Sequence, residues 1–462
     1  MSDIIASVSG VRGIVGDNLT PANISKFTLA FAEFSKKYNK TKKIVVGRDG
    51  RLHGDIITDF VTSSLILAGF EPIYIGVVPT PTVQIAVEDL KAAGGISVTA
   101  SHNPQQWNGL KFLNNTGRFL GPGEIKEFLE IADKGEFTFA EISDLKKIKY
   151  DSSWLDKHIE KVLKLKIIES KKIKKAKLTV VVDAVNSAGS IIGPKLLKKL
   201  GCKVIELYCD GSGIFPHTPE PIPENLTKLS KAVKKYKADI GVAIDPDSDR
   251  LVLITEKGEP FIEENTITMA VNFLLKKKKE NNRNVTVNLS TTRAVDDIVA
   301  KHKGKIFRSA VGEINVVNEM MTNGSVIGGE GSGGVILSEV HYGRDAIVGL
   351  ALIMQELAES GMTLSEYKKH LPQYSIVKSK IENVTDPAGL LNKITEIYSG
   401  ENYKAACKVN TVDGVKLDFP EHWIHLRKSN TEPIIRIITE AKTKELADQI
   451  QNEFIKEINS LL

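Results

Sequence analysis

One feature constrains this chain more than any other: the same order of signals (apolar strand, helical stretch, apolar strand, helical stretch, apolar strand) occurs three times along it. The first pass runs KKIVVGRDGR (42–51), EPIYIGVV (71–78) and GGISVTASHNP (94–104). The second runs LTVVVDAVNSAGS (178–190), CKVIELYCD (202–210) and ADIGVAIDPDSDR (238–250), and the third VTVNLSTTRA (285–294), GKIFRSAVG (304–312) and GSVIGGEGSGG (324–334). Apolar strands separated by helices predict sheets covered on both faces. In each pass the chemically unusual loop follows the third strand: SHNP, then DPDSDR, then GEGSGG. Open α/β sheets bind ligands beyond the carboxyl ends of their strands, so these loops are where a site is expected. From residue 371 the rhythm changes to short consecutive strands, SIVKSKIENV, VDGVKLDF, HWIHLRK and PIIRIIT, with helices at DPAGLLNKITEIYS and KTKELADQIQNEFIKEI.

The expected class is therefore α/β: three similar α/β/α domains with mixed sheets, then a C-terminal α+β domain with an antiparallel sheet. A length of 462 residues with 42% hydrophobic content supports several cores, and the expected boundaries are 1–150, 151–257, 258–370 and 371–462. The 62 Lys and Arg nearly balance 57 Asp and Glu, so basic character is local, at 161–177 and 274–283. Those runs have few aromatics between their lysines and read as solvated helix ends, so no nucleic-acid partner is expected. Three cysteines without metal-type spacing give no disulfide framework and suit a reducing compartment. With no run of about 18 apolar residues and no basic-then-apolar leader, no membrane partner and a cytoplasmic location are expected. Oligomeric state, including a homo-oligomer, is left open.

Each loop admits a chemical reading. Ser101 in SHNP is either a nucleophile or a turn residue, since Ser, Asn and Pro all form loops. Asp245, Asp247 and Asp249 of DPDSDR alternate at a hairpin tip between IGVAI and LVLIT. Three crowded carboxylates repel, and a divalent cation relieves this; hard oxygen ligands favour Mg²⁺. The spacing also mimics an EF-hand, with Glu256 in its place, but the position that must turn sharply carries Arg250 where glycine is needed. GEGSGG lets the backbone approach a ligand and adds Glu330 and Ser332 as hydrogen-bonding groups. No Walker or dinucleotide fingerprint occurs. LRKSNTEPIIRI places Arg427, Ser429, Asn430, Thr431 and Arg436 within ten residues, which reads as a phosphate clamp or as a charged turn. A serine, a metal loop, a polar glycine loop and an anion clamp together describe phosphoryl transfer to or from a small polyol phosphate.

TASHNP, DPDSDR, GEGSGG and RKSNTEP in this order, with SGVRG, VGRDGR and FPHTPEPIPENL beside them, resemble the α-D-phosphohexomutase family over essentially the whole chain. The resemblance implies four domains around a central cleft and interconversion of hexose 6-phosphate and 1-phosphate through a phosphoserine and a sugar 1,6-bisphosphate. It implies Ser101 as the phosphorylated serine, and Asp245, Asp247 and Asp249 with the Ser101 phosphate as ligands of one Mg²⁺. It further implies Lys111 and Arg250 in proton transfer and charge stabilisation, His102 beside them, and Arg12, Glu330, Ser332, Arg427, Ser429, Asn430, Thr431 and Arg436 as contacts to hexose phosphates. Related loops end in SGH where this chain has Ser332-Gly333-Gly334, which together with the SVSGVRG start is most similar to a divergent phosphoglucosamine mutase branch. Phosphomannomutase/phosphoglucomutase activity is the alternative. A serine phosphatase and a non-catalytic sugar-phosphate sensor are rivals from other classes, the first disfavoured because the nine histidines do not cluster as paired-zinc ligands.

Overall fold

The computed structural model describes residues 4–7, 10–278, 282–382, 384–401, 403, 406–428 and 434–461. The chain divides into two compact units, residues 1–277 with 332–368, and residues 278–331 with 369–462.

The first unit holds a seven-stranded mixed sheet in the order Ile5–Ser7, Gly10–Ile14, Trp107–Leu113, Gly94–Val98, Lys43–Arg48, Glu71–Val77, Lys149–Tyr150. The last four run parallel and the first three are added antiparallel. Trp107–Leu113 was not anticipated as a strand, because Asn108 and Gly109 weaken its β signal. It forms because pairing on both sides, with Gly10–Ile14 and Gly94–Val98, outweighs local preference. A four-stranded sheet follows, with Ile240–Ile244, Thr179–Asp183 and Lys203–Leu207 parallel and Leu251–Thr255 antiparallel against Ile240–Ile244. The expected hairpin at DPDSDR is thus present, with both of its strands fully buried.

Two helices bring their N-termini to that hairpin loop. Thr80–Leu90 packs on the first sheet over Gly47 and Gly95; a Cβ at either would come within 2.7 Å or 2.6 Å of Val83 or Val87. The Thr80 N–H donates to the Asp247 carbonyl oxygen at 2.9 Å. Ala346–Ser360 is capped by Asp345, whose Oδ1 accepts from the Ile347 and Val348 amides at 2.8 and 3.2 Å. Its Ala346 N–H donates to the Ser248 carbonyl oxygen at 3.1 Å. This apolar helix is buried from Ala346 to Leu357 as a core helix of the unit. Among the described residues no single helix is long and apolar enough to cross a membrane.

The second unit contains a parallel trio, Lys305–Ser309, Asn284–Asn288 and Ile327–Glu330. It also contains a five-stranded antiparallel sheet in the order Ser375–Ile381, Ile435–Ala441, Trp423–Lys428, Val415–Asp418, Lys408–Asn410. The turn at 290–293 joins the two sheets. Ser290 Oγ meets His425 Nδ1 at 2.9 Å, the Arg293 guanidinium donates to Asp418 at 2.7 Å, and the Arg293 N–H donates to Glu440 at 2.9 Å.

Candidate functional site

Asp245, Asp247 and Asp249 are all buried, and one carboxylate oxygen from each lies within 4.8 Å of the others. That spread is twice a typical oxygen–cation bond of about 2.0–2.6 Å. Each carboxylate has one oxygen tied down and one left over. Asp245 Oδ1 accepts from the backbone N–H of Asp249 and Arg250, both at 3.0 Å. Asp247 Oδ2 accepts from Thr80 Oγ1 at 2.8 Å and Lys111 Nζ at 2.6 Å. Asp249 Oδ2 accepts from an Arg344 guanidinium nitrogen at 2.6 Å and Lys111 Nζ at 3.4 Å. The other oxygens, Asp245 Oδ2, Asp247 Oδ1 and Asp249 Oδ1, are buried without a hydrogen-bond partner. Buried acceptors are seldom left so, and three of them on carboxylates that converge fit a divalent cation with hard oxygen ligands. Glu256, the residue in the EF-hand place, is instead bound to the Ser365 N–H at 3.1 Å.

The electrostatics follow from this arrangement. Burial, then the charges of Asp249 and Asp247, raise Asp245 well above the usual carboxylate range. Burial alone would also raise Asp249, but Arg344, then Lys111 and Arg250, outweigh it and hold that group below its ordinary value. Burial opposes the Lys111 charge, yet Asp247 and Asp249 keep its ammonium above its ordinary value.

Ser101 lies in the left-handed region at φ 50° and is buried. A side-chain-bearing residue there is costly unless its surroundings over-determine it. Those surroundings come from VGRDGR. Arg51, fully buried, donates to the carbonyl oxygens of Ser101 and Asn103 at 2.7 Å and of Pro104 at 2.8 Å. Asp49 holds Arg51 at 3.1 Å and accepts from Thr99 Oγ1 at 2.7 Å, and that hydroxyl in turn accepts from the Ser101 N–H at 2.8 Å. Ser101 Oγ is 3.3 Å from His102 Nδ1. Burial, then Arg250, push His102 down to about 3, so its imidazole is neutral near pH 7. His102 also feels the charges of Asp249, Arg12 and Lys111, which places the serine loop beside the aspartate loop. Arg12 donates to Asn103 Oδ1 at 3.1 Å, and the Arg250 Nε lies 3.9 Å from Asp249 Oδ1.

Ser101, His102, Lys111, Arg12, Arg250 and the three aspartates therefore belong to the first unit, as does half-buried Ser332. Glu330, Arg427 and Arg436 belong to the second. There Glu330 Oε1 accepts from Asn288 Nδ2 at 2.8 Å and the Gly312 N–H at 3.0 Å. Arg427 pairs with Asp413 at 2.9 Å and stands directly across from Arg436 in the antiparallel register. Like charges directly opposite one another are unfavourable, and a bound anion would offset that. Ser429, Asn430 and Thr431 lie outside the described residues.

Four segments match the domain families described as "Phosphoglucomutase/phosphomannomutase": alpha/beta/alpha domain I at 4–139, domain II at 156–258, domain III at 263–374, and the C-terminal domain at 377–457. The "Phosphoglucomutase/phosphomannomutase" of Thermococcus kodakarensis is 35% identical over 459 residues, 98% of each chain. The chain belongs to the α-D-phosphohexomutase family. A "Probable phosphoglucosamine mutase" of Methanopyrus kandleri is 33% identical over 97% of this chain and 96% of its own. A "Phosphoglucosamine/phosphogalactosamine mutase" of Sulfurisphaera tokodaii is 32% identical over 97% of each. The crystal structure of a phosphoglucomutase/phosphomannomutase family protein from Burkholderia thailandensis shares the fold at TM-score 0.83 and 24% identity, covering 99% of this chain and 98% of that one. The phosphohexomutase architecture, with mixed sheets in three domains and an antiparallel sheet in the fourth, is thus as the sequence predicts.

Several residues that build the candidate site were not singled out from sequence. Asp49 and Arg51 stood only as part of a supporting fragment, and Thr80 and Arg344 carried no signal, because each acts through a contact remote in sequence.

Proposed function

We propose that this chain is a phosphohexomutase that interconverts hexose 6-phosphate and hexose 1-phosphate, acting in the cytoplasm as an isomerase by intramolecular phosphotransfer. The observation that carries the reading is the set of three unpartnered carboxylate oxygens in the same unit as a serine braced at positive φ. Four functional domains, bounded at 1–150, 151–257, 258–370 and 371–462, supply one loop each. Ser101 carries a phosphate. A sugar hydroxyl attacks its phosphorus as its own proton passes to solvent, the P–Oγ bond breaks with a proton from Lys111 reaching the departing Oγ, and a sugar 1,6-bisphosphate forms. After the sugar reorients, Ser101 Oγ returns its proton to Lys111 and takes the other phosphate, the sugar O–P bond breaks, and the product hydroxyl regains a proton from solvent.

Asp245, Asp247 and Asp249 would hold Mg²⁺, with the Ser101 phosphate completing the ligand set. That ion, when bound, supplies positive charge to the transferring phosphoryl oxygens. Lys111 lies within 2.6 Å of Asp247 and serves as a fixed cation and proton donor to the departing Oγ. Arg250 and Arg12 face the same charges and bind phosphate oxygens. Neutral His102 orients the Ser101 hydroxyl. Glu330 and Ser332 contact sugar hydroxyls, and Arg427 and Arg436 with Ser429, Asn430 and Thr431 hold the phosphate that is not reacting.

Glucosamine phosphate is the favoured substrate, in keeping with the names of the Methanopyrus kandleri and Sulfurisphaera tokodaii relatives. The Thermococcus kodakarensis relative supports glucose or mannose phosphate as the second reading. A coupled assay with glucosamine 6-phosphate, glucose 1-phosphate and mannose 1-phosphate, each with Mg²⁺ and its bisphosphate, ranks the three by kcat/KM. Ser101→Ala should lose at least about 10³-fold in rate while its melting curve stays unchanged. Full activity in that variant, or labelled phosphate that never passes through the protein, would refute the reading.

A further inference from the structure

Gly334 has no conformational reason to be glycine. It opens the strand Gly334–Leu337 and is not among the glycines at positive φ. What it provides is space. A Cβ at Gly334 would lie 2.3 Å from Arg344 Cδ, 2.9 Å from Cγ and 3.4 Å from Cβ. The Arg344 side chain therefore runs across the position that any larger residue at 334 would claim. Its guanidinium ends 2.6 Å from Asp249 Oδ2, with Arg344 only 9% exposed.

The backbone beside Arg344 is also held from behind. The neighbouring Asp345 caps the buried helix Ala346–Ser360, and its Oδ2 takes hydrogen bonds from His158 Nε2 at 2.8 Å and His341 Nε2 at 3.1 Å. The Asp345 N–H donates to the Val335 carbonyl oxygen at 2.8 Å, tying the backbone beside Arg344 to the residue after Gly334.

We propose that Arg344 is a positioning residue for the cation site: it ties one oxygen of Asp249 so that the other faces the cation, and Gly334 is glycine to admit it. A rigid guanidinium suits this role because it keeps its charge and fixes the plane of the carboxylate it binds. Any side chain at 334 and Arg344 in this pose exclude each other sterically. The space at 334 thus admits Arg344 to the aspartate loop, which Lys111 also reaches. Groups that orient metal ligands from behind typically change metal affinity by about 10–100-fold when removed.

This inference rests on the reading of the triad as a cation site, and one set of measurements separates the two. Mn²⁺ binding to the full chain, at fixed pH and without phosphosugar, is read from the free-ion electron paramagnetic resonance signal. Asp245→Asn should abolish binding; wild-type affinity in that variant would overturn the cation reading itself. Arg344→Met should weaken Mn²⁺ by about tenfold or more, and Arg344→Lys should recover part of that loss. Gly334→Ala should weaken binding similarly in the wild-type background and add nothing to Arg344→Met, since both act through one side chain. In the mutase assay the same variants should lower kcat while leaving the hexose phosphate KM unchanged. Wild-type Mn²⁺ affinity in Arg344→Met, or additive losses in the double variant, would overturn the inference while leaving the cation site standing. If Arg344→Met does not fold, Arg344→Lys and Gly334→Ala decide it: wild-type affinity in both refutes it.

Discussion

Ser101 sits at φ 50°, a conformation that costs a residue with a Cβ about 1–2 kcal/mol. One guanidinium, that of Arg51, holds it there through the carbonyl oxygens of Ser101, Asn103 and Pro104. Lysine cannot replace such a fork, because a single ammonium cannot meet oxygens spread over four residues and Asp49 at the same time. Arg51→Lys should therefore fold yet let the serine wander. A displacement of about 1 Å is enough to cost roughly 10²-fold in kcat, with KM little changed. Arg51→Met strands a buried carboxylate, and a loss of about 3–5 kcal/mol in urea unfolding is expected. An Arg51→Lys variant with wild-type kcat would show that the loop holds its own shape.

At the scale of elements, the strand Val415–Asp418 carries an unusual passenger. Lys416 is 2% exposed, with its ammonium 4.5 Å from the centre of the Trp423 ring and 3.6 Å from Asp418. Burial, then the Arg308 charge, push it down to about 8. Below about 8 the lysine is protonated in both states; between about 8 and 10.5 the unfolded chain binds more protons, so its contribution to stability rises with pH. Lys416→Met keeps the length and removes the charge, so it should stabilise the fold at pH 7 by about 1–3 kcal/mol, and the gain should shrink toward pH 10. Denaturation followed by tryptophan fluorescence at both pH values checks this, and an equal gain at each would contradict it. Lys416 also marks what a sequence conceals. DPDSDR was legible because alternate aspartates between two apolar runs have few stable solutions, and the hairpin followed from the same runs. Trp107–Leu113 was not legible as a strand, since Asn108 and Gly109 weaken its own signal and its pairing with Gly10–Ile14 joins segments far apart in sequence. Arg51 and Arg344 were hidden for the same reason, their partners Ser101 and Asp249 being 50 and 95 residues away. Periodicity reports which face is buried, whereas these contacts exist only once separate elements have packed.

At the scale of the molecule, the aspartate loop is a point where function opposes stability. Three buried carboxylates converge, and three of their oxygens have no hydrogen-bond partner. Lys111 and Arg344 offset part of the repulsion, and two helix N-termini hold the loop backbone through the carbonyls of Asp247 and Ser248. The fold is thus under tension that a bound cation would relieve, and only the native state assembles the ligands. At a cation concentration 100-fold above its dissociation constant, linkage predicts about 2.7 kcal/mol of added stability. For a unit of this size that corresponds to a rise of roughly 5 °C in Tm. The rise should appear when Mg²⁺ is added to protein stripped with chelator and should reverse on chelation. Asp245→Asn supplies the complementary outcome: with the carboxyl group that burial and its neighbours disfavour as a charge replaced by a neutral amide, the metal-free variant should melt above metal-free wild type, and it should no longer respond to Mg²⁺. A metal-independent Tm in the wild type would mean that the three carboxylates are satisfied without a cation. Melting of Asp245→Asn below metal-free wild type would mean instead that Asp245 chiefly supports the loop, through the amides of Asp249 and Arg250 that it accepts.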